Sequence, residues 1–240
     1  MAGTARAPKP RYNAEHQLLR CAAEGVPCEC KLTKSGKKPT IRAEVLRALM
    51  LGLYGEGSLA PGWVQIENAR IAGALDLSRQ KRRNGTDTPL PHLAAYGCFF
   101  EEPIDLSGAR LDGLWLRCCE LPRLDIPGAV IDGDLDLDGA KISGRAGWAI
   151  VGDATEITGN VFMRVRDGHH FAAEGEVRLL GAHVGGNLEA VGASLDGAGG
   201  RALSCNRALI GGSVFLEALA SHRFTAVGQV GFLAARAFVT

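Results

Sequence analysis

Between Ala109 and Gly133 five pentads follow one another without a gap, centred on Leu111, Leu116, Leu121, Ile126 and Ile131. Two positions before each centre stands another small or apolar residue, so in an extended chain both members of the pair face the same side. A five-residue unit cannot bury such a pair alone; it does so by stacking on copies of itself. This pattern predicts a β-solenoid. Alternation of aliphatic and polar residues starts at Val64-Gln65-Ile66, runs through Ala69–Gly73 to Leu77, stops at a basic loop over residues 79–89 and resumes by Ile104-Asp105-Leu106. The predicted β-helix therefore spans residues 63–240.

Later in the chain the unit becomes apolar-x-Gly-x-apolar, at Ile131-Gly133-Leu135, Ile157-Gly159-Val161, Val184-Gly186-Leu188 and Ile210-Gly212-Val214. Their starts are 26, 27 and 26 positions apart, whereas Leu111 and Ile131 are 20 apart. Ile157, Phe171, Gly175 and Val177 recur 53 positions later as Ile210, Phe224, Gly228 and Val230, so two coils form one larger unit, with residues 166–170 as an ejected loop. Continued in that register, the final coil stops mid-repeat. Its open edge, with Phe232, Leu233 and Phe238, predicts either a homodimer through the C-terminal coil or a chain that is part of a longer protein.

Residues 1–12 read as a mobile tail and residues 13–62 as a helical N-terminal cap. Asn13 is the expected cap of a short helix with Leu18, Leu19 and Ala22 on one face and Gly25 as its stop. Residues 26–39 read as a lysine-rich loop. Thr40 precedes a second helix in which Ile41, Val45 and Leu49 recur every fourth position, with Gly52 ending it.

The 240-residue chain is 46% hydrophobic, with 32 glycines and only 6% aromatic residues, a balance that suits tightly turning β-coils. Seven cysteines and no signal-like N-terminus predict a reducing, cytoplasmic setting. No apolar run reaches membrane-spanning length. The net charge of +1 conceals a basic front, with 15 Lys+Arg against 7 Asp+Glu in residues 1–85, and an acidic middle, with 8 against 18 in residues 86–200.

The pentads, resumed at Leu135-Asp136-Leu137-Asp138-Gly139 and Ala140-Lys141-Ile142-Ser143-Gly144, resemble the pentapeptide-repeat family. That resemblance implies a right-handed, quadrilateral-like β-helix with four pentads per coil. Units such as Gly-Ala-His-Val-Gly-Gly-Asn-Leu are also similar to bacterial β-helix proteins labelled membrane-associated oxidoreductases, although no residues here justify that chemistry. Several pentapeptide-repeat proteins imitate a DNA duplex and bind topoisomerases, which makes an acidic face the sharpest site expectation.

Asp132, Asp134, Asp136 and Asp138 alternate along one segment and are the candidate interaction face. They also match the start of a calcium loop, but Arg145 stands where its bidentate Glu belongs. Arg79, Lys81, Arg82 and Arg83 form a candidate basic loop that lacks the interleaved aromatics of nucleic-acid binders. Gly55-Glu56-Gly57-Ser58-Leu59-Ala60 fits a dinucleotide fingerprint only loosely, since a helix precedes it and Pro61-Gly62 follows. Cys28 and Cys30, with Cys21 and His16 near in sequence, lack the paired spacing of a zinc site. Cys119 reads as core and Cys118 as a corner. His169 and His170 lie in the predicted loop with no nucleophile placed beside them. No catalytic set, metal or cofactor is expected; the expected partner is another protein, with nucleic acid and membrane insertion disfavoured.

Overall fold

The computed structural model describes residues 7–55, 62–80, 88–144 and 147–237. Among them are two helices, Asn13–Glu24 (α1) and Ala43–Met50 (α2), and a series of short strands whose pairings between strands are all parallel. Strands of two to five residues predominate, too short to persist alone. They are held by the coils above and below. Four ladders run along the stack. The first contains Trp63–Glu67, His92–Tyr96, Leu114–Arg117, Leu135–Asp136, Val161–Phe162, Leu188–Glu189 and Val214–Phe215. The second passes through Arg70–Ala72, Phe99–Phe100, Glu120–Leu121 and Lys141–Ile142, the third through Ile104–Asp105 and Leu124–Asp125, and the fourth through Arg110–Leu111 and Val130–Ile131.

Both apolar members of each pentad point inward. Ala109, Leu111, Leu114, Leu116, Cys119, Leu121, Leu124, Ile126, Ala129 and Ile131 are all buried. Cys118 occupies the adjoining corner with φ 51°, as its place beside Cys119 predicts. Polar residues that turn inward are few: the Thr155 hydroxyl donates to the Ile126 carbonyl at 2.7 Å, whereas the buried Ser204 hydroxyl has no partner among the described residues.

The longer coils keep the four ladders and lengthen the corners. Leu121 and Leu124, on the second and third ladders, are three positions apart, but Ile142 and Ile150 are eight apart, as are Leu195 and Leu203. In the alternate coils the extra residues move to the first corner: Val161 to Ala173 and Val214 to Ala226 take twelve positions where Leu135 to Ile142 takes seven. Alternating insertions at two corners explain the 53-residue unit.

One further residue enters each long coil between the fourth and first ladders, where the repeated glycines lie. There the Asp134 carboxylate accepts the backbone N–H of Asn160 at 2.7 Å, the Asn160 amide oxygen accepts that of Asn187 at 2.8 Å, and the Asn187 oxygen accepts that of Ser213 at 2.9 Å. This ladder occupies the space a side chain would need. A Cβ on Gly186 would come within 2.2 Å of the Asn160 oxygen, and one on Gly211 within 2.2 Å of the Gly185 carbonyl.

Near the N-terminus the sequence expectation is changed in two places. Cys28–Glu29, expected as loop, pairs with Ile66 and Glu67 on the first ladder, and Thr40–Arg42 pairs with Arg70–Ala72 on the second. Strand pairing therefore starts inside the segment expected to be helical, because Ile41 packs as an inward strand residue and α2 begins only at Ala43. The N-cap of α1 is Tyr12 rather than Asn13. The helix entry is fixed by Glu15, wholly buried, whose carboxylate accepts N–H bonds from Arg11, Tyr12 and Arg42 and from the Arg42 guanidinium at 2.8 Å. Leu18, Cys21 and Ala22 of α1 and Val45, Leu46, Leu49 and Met50 of α2 are buried.

Two outcomes follow. Gly211→Ala should lower stability by about 2 kcal/mol, because the new methyl group meets a backbone carbonyl that cannot move aside; urea unfolding followed by circular dichroism measures it. Burial opposes ionisation of Glu15, but Arg42 and the three backbone donors outweigh it and hold the carboxyl at about 2, below its ordinary 4.5. The stability it contributes, about 3 kcal/mol, is present above pH 4.5 and lost as pH falls toward 2. Glu15→Gln should remove that dependence from an acid-unfolding titration.

Candidate interaction surfaces

The four aspartates chosen from the sequence do not form a free acidic face. Asp132 pairs with Arg110 at 2.8 Å, and Asp134 is held by the Asn160 backbone and side chain. Asp136 pairs with Arg117 at 2.7 Å and Asp138 with Arg164 at 2.8 Å, and these two carboxylates are almost wholly buried, 2% exposed each. The correction has a simple cause. Alternation fixes which side a residue faces, but neighbouring coils bring arginines over that side. Arg117 also lies 3.9 Å from the Trp115 ring centre and Arg164 3.8 Å from that of Phe162, so each guanidinium is sandwiched between a carboxylate and an aromatic face.

Of the candidate basic loop, Lys81, Arg82 and Arg83 lie outside the described residues. Arg79 belongs to a coil corner, with φ 51° and its N–H donated to the Ser107 carbonyl. The chain is back on the fourth ladder at Leu90, bridged to Leu111. Most of the dinucleotide-like segment, residues 56–60, and Arg145 are likewise outside the described residues. Cys21 on the inner face of α1 is buried, as are Cys28 and Cys30, but His16 is exposed on its outer side; among the described residues no group of three or more His, Cys, Asp or Glu is arranged to hold a metal. The residues near 166–170 form a hairpin closed by Arg166 and His169, which folds back on the coil instead of projecting: the Tyr96 hydroxyl donates to Asp167 at 2.9 Å. His170 stacks toward His222, the counterpart of His169 in the next hairpin, at 5.6 Å between ring centres.

The surface that sequence reasoning missed lies on the second ladder. In register from coil to coil, Arg70, Phe99, Glu120, Lys141 and Ala172 face outward. Two concavities meet on this strip and share Phe99 and Glu120: one of about 690 Å³, walled by Thr33, Ser35, Lys37, Lys38 and Arg70, and one of about 230 Å³, running past Pro122 and Lys141 to Glu174. One wall is a turn held by the Thr33 N–H to the Lys37 carbonyl at 2.8 Å and the Lys37 N–H to the Thr33 hydroxyl at 3.0 Å. Lys38 is anchored to the Gly97 carbonyl and Arg70 to Glu101. Phe99 is 39% exposed at the middle, while Phe100 is buried. The adjacent phenylalanines were the available signal: on a strand, one of two consecutive aromatic residues must face outward.

The chain matches no protein-family model, no curated protein and no solved structure. Its surfaces therefore stand on their own chemistry.

The aspartate network predicts that changing Asp132, Asp134, Asp136 and Asp138 together to asparagine disrupts the fold as well as the charge. Loss of one such charged hydrogen bond alone costs about 1.5–3 kcal/mol. A fourfold variant with an unchanged unfolding midpoint would show that the carboxylates are dispensable.

Proposed function

We propose that the protein is a non-enzymatic binding module whose second ladder receives an extended segment of another protein. The observation that carries this reading is the pair of adjoining concavities that share exposed Phe99, with Lys37, Lys38 and Arg70 lining one and Glu174 lining the other. Such a strip suits a segment with an apolar side chain over Phe99, acidic residues toward the lysines and a basic residue toward Glu174. We further propose a right-handed coil, the usual hand for parallel strands joined in sequence, with α1 and α2 capping its first turn. Parallel strand order and the four ladders support the pentapeptide-repeat resemblance for the shorter coils. The binding role needs no cofactor. The unbonded thiols of Cys28 and Cys30 suit a reducing compartment. Among the described residues no helix is long and apolar enough to cross a membrane.

The topoisomerase reading draws no support from Asp132, Asp134, Asp136 and Asp138, whose carboxylates are engaged by Arg110, Asn160, Arg117 and Arg164. Pairing of two copies through the coil of Val214–Phe215 and Thr225–Gly231 is a second reading, favoured by Val227, Val230 and Leu233, exposed by 61, 40 and 77%. Light scattering that gives the mass of one chain at high concentration removes it.

The groove is tested by selecting random peptides on the immobilised chain and measuring their affinity. Phe99→Ser, an outward change that spares the core, should weaken selected peptides by about tenfold or more, and Lys141→Glu should alter their charge preference. Equal enrichment on wild type and Phe99→Ser would overturn the groove as the binding site.

A further inference from the structure

A separate cavity lies on the first ladder. Its outward residues in register are Gln65, Ala94, Trp115 and Asp136. Ala94 supplies only a methyl group, leaving a gap between Gln65 and Trp115, which stand two strand spacings or roughly 10 Å apart. The next outward positions, Glu67, Tyr96 and Arg117, form its side. The Arg166–His169 hairpin folds over this corner, tied by Tyr96 to Asp167 at 2.9 Å and by the Cys118 thiol to the Arg166 carbonyl at 3.8 Å. Arg166 thereby becomes part of the lining of a cavity of about 200 Å³. That volume is below the range of drug-sized sites and suits a small metabolite.

The polar groups in this cavity are not all satisfied from within. Gln65 donates its amide Nε2 to Glu67 at 2.9 Å, which leaves its buried Oε1 without a partner. Arg166 Nε is also buried without a hydrogen bond; Asp167 stands 3.8 Å from it, and the Arg166 Nη1 is 3.9 Å from Asp138. Glu67 pairs with no Lys or Arg among the described residues, whereas Arg117 is already engaged by Asp136. One side thus offers a carboxylate and an orphan acceptor, and the other an orphan donor on a cation. Buried polar atoms left in this way mark a place for water or a ligand.

We propose that this cavity binds a small zwitterion of the α-amino acid class, with its ammonium group toward Glu67 and Gln65 Oε1 and its carboxylate toward Arg166. The site lies on a different ladder from the peptide groove and stands independently of it.

Titration calorimetry of the whole chain with each of the twenty standard L-amino acids tests this. At least one should bind with a Kd below about 1 mM, and its N-acetyl and methyl ester derivatives, each lacking one charge, should bind about tenfold more weakly or worse. Ala94→Leu fills the floor from the outward side and should abolish binding with an unchanged circular dichroism spectrum; Arg166→Gln should weaken it about tenfold. Gln65→Met, which removes the orphan acceptor without adding bulk, serves if Ala94→Leu disturbs the fold. The proposal is overturned if no amino acid binds at about 10 mM, if binding survives both Ala94→Leu and Gln65→Met, or if the uncharged-end derivatives bind as tightly as the parent.

Discussion

Every strand depends on the hydrogen bonds and side-chain contacts it makes with the coil before it and the coil after it. A two-residue strand has no stability of its own, and a solenoid supplies it only neighbours along the axis. Whatever one coil does at a given position, the next must accommodate at the same place. Glycines, left-handed corners and buried polar groups therefore occur as columns. Thr158, Gly185 and Gly211 form such a column, in which each backbone closes the space available to a side chain in the coil that follows.

The same requirement governs the charges. An outward aspartate on a stacked strand is flanked by residues of other coils only one strand spacing away, so partners distant in sequence can reach it as readily as those beside it. Asp136 and Asp138 meet Arg117 and Arg164 in this way, 19 and 26 positions distant. Once paired, they contribute little to the field felt by a partner. The two proposed binding surfaces lie where a column is interrupted, by the exposed ring of Phe99 on one ladder and by the missing side chain of Ala94 on another.

Corner insertions give the fold room for such surfaces without disturbing its core. Five residues added between Ile142 and Ile150, or between Val161 and Ala173, leave the inward pairs of the flanking strands in register. The hairpin at Arg166–His169 is an insertion of this kind, and its return path over Tyr96 and Cys118 converts a shallow gap into a walled cavity.

The sequence by itself determined the parallel solenoid, its inward residues and the alternation of long coils, because side-chain direction along a strand has a period of two and a stacked coil must repeat its inward pairs. Ile131, Ile157, Val184 and Ile210 announced the coil lengths without any knowledge of contacts. The start of pairing at Cys28 was hidden, since two residues carry no periodicity, and Ile41 fits a helix pattern as well as a strand. Only the tertiary structure decided which polar residues are spoken for. Asp138 and Glu120 are both outward acidic residues on paper, yet Arg164 crosses from the next coil to bury the first while the second lines a groove. That difference lies in distances between residues more than twenty positions apart, set by how the coils stack and where their corners fold back.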